Sequence, residues 1–244
     1  LVHRGKWMIS GTLVVVSTFL CFTLLAQPQL LRDVNTEFDM GFTPYSALTA
    51  TPTQLFFLDG STLSVTKGSR ANTLALKTFE VINSFTVVGN SIYFAADDGS
   101  GAGTELWKSD GTAAGTILLK DITPGIQGTV YSRLTVLAGK FYFTAYSSTA
   151  GVELWQSDGT TAGTIVLKDI NTGTASSAPQ NLTVCGTYIF FSADNGTAGR
   201  ELWRTDGTAA GTIMVSDIVS GSGSSNPGSF FYHPTLQSVF FSAY

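Results

Sequence analysis

Charge is the scarcest feature of this 244-residue chain. Asp, Glu, Lys and Arg make up 12% of it, where an ordinary soluble domain has about 25%. Coiled coils and long solvent-facing helices need charged flanks and are excluded. Lys and Arg number 13 against 17 acids, a net charge of −4, so there is no basic footprint for nucleic acid. Histidine is almost missing, with His3 and His233 alone, and a zinc site of several histidines cannot form. The sequence has no Gly-x-Ser-x-Gly, His-Glu-x-x-His, Cys-x-x-Cys or phosphate-loop pattern, so no catalytic residue, metal ligand or cofactor is assigned. Apolar residues are not scarce. At 43% of the chain they can build a core, which argues against global disorder.

The first 26 residues read as an export signal. A basic start (His3, Arg4, Lys6) precedes an uncharged apolar run from Ile9 to Ala26, the order of a secretory signal peptide cleaved after Ala26. The competing reading is an uncleaved N-terminal anchor. Cleavage leaves no membrane segment, eleven basic residues against seventeen acids, and Cys185 as the sole cysteine. No intramolecular disulfide is then available, and the buried thiol reads as a small apolar filler.

Repetition dominates the rest. The segment beginning Glu105-Leu106-Trp107 and running through Asp110-Gly111-Thr112 recurs at Glu153-Leu154-Trp155 with Asp158-Gly159-Thr160, and at Glu201-Leu202-Trp203 with Asp206-Gly207-Thr208, 48 residues apart each time. Each copy continues with Ala-Gly-Thr and an alternating segment, and each follows an aromatic pair: Tyr93-Phe94, Tyr142-Phe143, Phe190-Phe191 and finally Phe240-Phe241. A worn copy upstream has Ser64 and Lys67 where the others carry Trp and Asp. Short alternating stretches bounded by Gly, Asn, Asp and Pro predict strands. In the best unit they fall near 133–137, 140–145, 151–156 and 164–169.

Four strands in a 48-residue period predict an all-β, β-propeller-like repeat, since a single four-stranded sheet cannot cover both its faces and must stack on others. A β-solenoid or open stack is the alternative. The repeat domain is 27–244, in units of about 35–79, 80–122, 123–170 and 171–218 with a partial unit at 219–244. Leu30 to Val34 resembles a last strand, and residues 240–244 fall in a second strand. An incomplete propeller, part of a longer protein, is the expectation.

On these residues the chain resembles the ELWxxDGT-repeat family, over about residues 30–244. The resemblance implies a secreted or surface-displayed bacterial protein built of many repeats. It implies no common reaction or ligand.

Each repeated side chain has two readings. Trp107, Trp155 and Trp203 are anchors between adjacent sheets or stacking platforms for a sugar or peptide. Glu105, Glu153 and Glu201 accept backbone amides of a neighbouring hairpin loop or contact a ligand. Asp110, Asp158 and Asp206, with Gly111, Gly159 and Gly207, form the hairpin loop. Asp121, Asp169 and Asp217 cap the turn after each last strand. Asp97, Asp98, Asp194 and Asn195 are the candidate binding residues, because hard oxygen donors of this kind suit calcium. His233 reads as a loop residue. The functional expectation is an exported noncatalytic binding or structural module for a glycan or a surface protein. The alternatives are a carbohydrate-active enzyme with its site in a propeller channel, and a calcium-stabilised surface array.

Overall fold

The computed structural model describes residues 48–83, 85–125 and 134–244. The signal segment, the Leu30 to Val34 strand and Cys21 lie outside the described residues. The described chain is all-β, and none of its helices is long and apolar enough to cross a membrane.

The strands come in chain-order groups. The first sheet holds β1 (Leu48–Ala50), β2 (Leu55–Asp59), β3 (Thr62–Thr66) and β4 (Thr73–Thr78). The second holds β5 (Val81–Ile82), β6 (Thr86–Val88), β7 (Ser91–Asp97), β8 (Glu105–Ser109) and β9 (Ile117–Lys120). The third holds β10 (Thr135–Leu137), β11 (Lys140–Ser147), β12 (Gly151–Ser157) and β13 (Ile165–Lys168). The fourth holds β14 (Gln180–Cys185), β15 (Tyr188–Asp194), β16 (Arg200–Thr205) and β17 (Ile213–Ser216). A fifth holds β18 (Gly228–His233) and β19 (Ser238–Ser242). Every sheet is an antiparallel meander whose spatial order follows the chain, except that β5 and β6 share the edge of β7.

The middle strands explain the composition. In β11 the run from Phe141 to Ala145 is buried on both faces, as is Glu153 to Trp155 in β12. A strand covered on both sides has little use for charge, and the Glu of each motif is the buried exception. Three cores result, each between consecutive sheets. Phe56, Leu63 and Phe79 meet Phe94 and Trp107; Tyr93, Leu106 and Leu119 meet Phe143 and Trp155; Tyr142, Leu154 and Leu167 meet Phe191 and Trp203.

One irregularity repeats with the sequence. The register of β8 on β9, β12 on β13 and β16 on β17 slips between Leu106 and Trp107, Leu154 and Trp155, and Leu202 and Trp203. The worn unit has the same slip between Leu63 and Ser64, so the bulge does not depend on the Trp.

Candidate functional site

The repeated motif occupies β8, β12 and β16 and the loop after each. The loop is a closed set of hydrogen bonds. Asp158 Oδ1 accepts from the Thr160 amide at 2.9 Å and the Thr160 hydroxyl at 2.7 Å. Thr160 Oγ1 in turn accepts from the Gly163 amide at 2.9 Å, while Thr164 Oγ1 donates to the Thr160 carbonyl at 2.7 Å. The Asp110 and Asp206 loops repeat these bonds. The Thr hydroxyl and amide hold all three carboxyls below the usual aspartate range. Gly159 sits at φ +85°, and a Cβ there would meet the Tyr93 hydroxyl of the preceding sheet at 2.3 Å. Gly207 meets the Tyr142 hydroxyl in the same way, and Gly111 meets the Gln54 side chain. Each loop is therefore seated on the sheet before it.

The glutamates are fully buried. Glu153 Oε2 accepts from the Ile170 amide at 3.0 Å and the Ser177 hydroxyl at 2.5 Å; Oε1 accepts from the Ser177 amide at 2.9 Å and the Asn171 amide at 3.4 Å. Glu201 repeats this with Ile218 and Ser225 at 2.6–3.0 Å. Glu105 accepts from the Ile122 amide at 3.0 Å. The donors lie in the connection to the next sheet rather than in the adjoining hairpin loop, which corrects the sequence reading. Burial pushes the Glu153 carboxyl up. For Glu201 burial is again the largest single influence, but the Ser225, Ile218 and Val219 donors together outweigh it and its carboxyl is lowered.

The three tryptophans are almost fully buried. Trp155 stacks on Phe143 with ring centres 6.3 Å apart and donates from Nε1 to the Ala145 carbonyl at 3.1 Å. So little indole surface remains that none is offered to a ligand in this arrangement.

The other candidates are held by their own loops. Asp97 Oδ1 accepts from the Gly99 amide at 2.9 Å, and Asp194 Oδ1 from the Gly196 amide at 2.7 Å. Asn195 Oδ1 accepts from Thr197 and Ala198 at 2.9–3.0 Å. Asp98 Oδ2 pairs with Lys77 Nζ of the first sheet at 3.0 Å. The Asp98 carboxyl is lowered because its Ser100 and Lys77 partners outweigh the burial that alone would raise it. Among the described residues no group of three or more His, Cys, Asp or Glu could hold a metal ion. Asp169 Oδ2 accepts from the Gly173 amide at 3.0 Å and Asp217 Oδ2 from the Gly221 amide at 3.4 Å. His233 closes β18 instead of lying in a loop, and its Nδ1 accepts from the Leu236 amide at 3.2 Å. Cys185 is buried, and that burial raises its thiol.

Two sets of partners escaped the sequence reading. Ser177 and Ser225 stand 24 residues after their glutamates, a constant spacing that the repeat contains. Lys120 Nζ donates to the Thr164 carbonyl at 2.7 Å and Lys168 Nζ to the Thr212 carbonyl at 2.8 Å. Each lysine thus ties its sheet to the loop of the next.

No family model matches the chain, and no curated protein matches it. Solved structures are similar at low identity. TolB from Acinetobacter baumannii is 14% identical, with 75% of this chain and 45% of TolB covered at a TM-score of 0.44. A puromycin hydrolase variant complexed with PGG is 18% identical, with 80% of this chain and 32% of the hydrolase covered at 0.45. An α-L-arabinofuranosidase from Clostridium thermocellum is 12% identical, with 72% and 71% covered at 0.31. The chain spans less than half the length of the first two, and at these scores the similarity carries no argument about activity.

Proposed function

We propose that this chain is a propeller-type, noncatalytic repeat module, exported from a bacterial cell, that presents a binding or structural surface to a glycan or a surface protein. The observation that carries the noncatalytic part is the cost of the repeated carboxylates. Glu153 and Glu201 each engage both oxygens with donors of their own connection, and Asp110, Asp158 and Asp206 each engage Oδ1 with the Thr two residues on. An acid–base residue needs a proton within reach of substrate; the glutamates are fully buried, and the exposed aspartates hold their own loops together. The propeller reading is supported by the first strands. Thr86 Oγ1 donates to the Leu134 carbonyl, Thr135 Oγ1 to the Leu182 carbonyl and Asn181 Nδ2 to the Pro227 carbonyl at 3.3–3.4 Å. Successive sheets therefore meet along the same inner edge at a near-constant step, as blades do around an axis.

The test is to incubate the purified chain with an array of neutral glycans and read both retention and product mass. Retention of an unchanged glycan is the expected result. Cleaved product would overturn the noncatalytic reading in favour of a carbohydrate-active enzyme.

A further inference from the structure

Asn195-Gly196 is the one Asn-Gly pair in the sequence. It lies in the loop between β15 and β16. An Asn followed by Gly is chemically labile, because the glycine nitrogen can approach the carboxamide carbon with no side chain in the way. Here Gly196 stands at φ +82°, and a Cβ on it would meet Asn171 Oδ1 at 2.6 Å, so packing as well as backbone keeps glycine at this place.

The hydrogen bonds around the pair supply what loss of the amide requires. The nucleophile is the Gly196 nitrogen. Its N–H donates to Asp194 Oδ1 at 2.7 Å, which puts a carboxylate in position to take the proton. Negative charge develops on Asn195 Oδ1 when Cγ is attacked. That oxygen already accepts from the Thr197 amide at 3.0 Å, the Thr197 hydroxyl at 3.0 Å and the Ala198 amide at 2.9 Å. Three donors converging on one carboxamide oxygen make an oxyanion hole. Hydrogen bonds to a charged oxygen are about twice as strong as those to a neutral one, so the donors stabilise the intermediate more than the starting amide.

We propose that the native loop catalyses its own deamidation at Asn195. The Gly196 nitrogen bonds to Asn195 Cγ and passes its proton to Asp194. The Cγ–Nδ2 bond then breaks, the departing NH2 takes that proton from Asp194, and ammonia leaves a cyclic imide behind. Water opens the imide at either carbonyl, giving aspartate or isoaspartate. The aspartate product adds one negative charge. It also gives the loop the Asp-Asp-Gly sequence of Asp97-Asp98-Gly99 in the second sheet, where Asp98 Oδ1 accepts from the Ser100 amide at 3.1 Å. The inference rests on the loop alone and does not depend on what the protein binds.

The full chain is incubated at neutral pH beside a synthetic peptide of residues 188–205. Peptide mapping by mass spectrometry reads the replacement of NH2 by OH at Asn195, and trapped ammonia confirms it. The native chain is expected to react roughly tenfold faster than the peptide, or more. Asp194→Ser keeps an acceptor for the Gly196 amide, as Ser157 Oγ accepts from the Gly159 amide at 3.1 Å, but it cannot take the proton. Thr197→Val removes one donor to the oxyanion. Each variant should slow the native reaction roughly tenfold or more while thermal melts show it folded. A native rate at or below that of the peptide, or folded variants that react as fast as wild type, would overturn the proposal.

Discussion

Replacing Glu153 by Gln removes a charge and one acceptor from a site that has room for neither loss. Both carboxylate oxygens are occupied by two donors each. The amide can keep its oxygen toward the Ser177 and Asn171 amides and turn its NH2 toward the Ser177 hydroxyl, which can reverse and accept. The Ile170 amide is then buried without an acceptor. An orphaned buried donor costs about 1–3 kcal/mol, and exchanging charged for neutral hydrogen bonds adds about 1 kcal/mol, so Glu153→Gln should lose about 2–4 kcal/mol. The pH dependence sharpens the test. The Glu153 carboxyl is raised by burial, so its contribution is full below the unfolded value and falls away as pH rises through the raised one. The gap between wild type and Glu153→Gln should narrow from acid toward neutral pH. Glu201 is lowered because its donors outweigh burial, so its contribution is present above the unfolded value and lost in acid. The Glu201→Gln gap should widen over the same range. Urea denaturation followed by tryptophan fluorescence across this range reads both. A Glu153→Gln cost below about 0.5 kcal/mol, the level of an ordinary surface change, would refute the cage. Equal pH slopes for the two variants would refute the sign argument.

Trp155→Ala should cost about 3–5 kcal/mol by urea denaturation, as large aromatic truncations in packed cores do. An unchanged midpoint would mean that the ring does not bind the sheets together. Ala138 stands at φ 52° where the equivalent turns have Gly89 and Gly186, so Ala138→Gly should stabilise by about 0.5–1 kcal/mol through relief of left-handed strain; a loss on denaturation would contradict this. Removing divalent cations with a chelator should leave the melting midpoint where it was, because Asp97, Asp194 and Asn195 are capped by their own amides. A marked drop would restore the calcium-stabilised array.

The sheets were legible because the physics that makes them is local. Alternation, glycine at the loops and a constant step between Trp107, Trp155 and Trp203 name the strands and their number per unit. The worn unit shows how little of the motif the fold needs: with Ser64 and Lys67 in place of Trp and Asp it still makes four strands and the same bulge. Partners across the connection were harder to read. Ser177 reaches Glu153 from 24 residues away, and Lys120 reaches the loop of the next sheet. The spacings repeat, but that these side chains touch depends on how the connection folds back and the sheets stack, which strand alternation does not show. His233 was misplaced because the hairpin after it has four turn residues where the Cys185 hairpin has two.

The central claim is that the repeated Asp-Gly-Thr loop joins each sheet to the one before it. A double-mutant cycle on Gly159 and Tyr93 tests this most directly. Gly159→Ala forces a methyl into left-handed backbone and against the Tyr93 hydroxyl at 2.3 Å, while Tyr93→Phe takes that hydroxyl away. Gly159→Ala should cost about 0.5–3 kcal/mol less in the Tyr93→Phe chain than in wild type, the range for residues in contact. Costs that add without coupling would mean that the loop does not rest on its neighbour, and the joint would have to lie elsewhere.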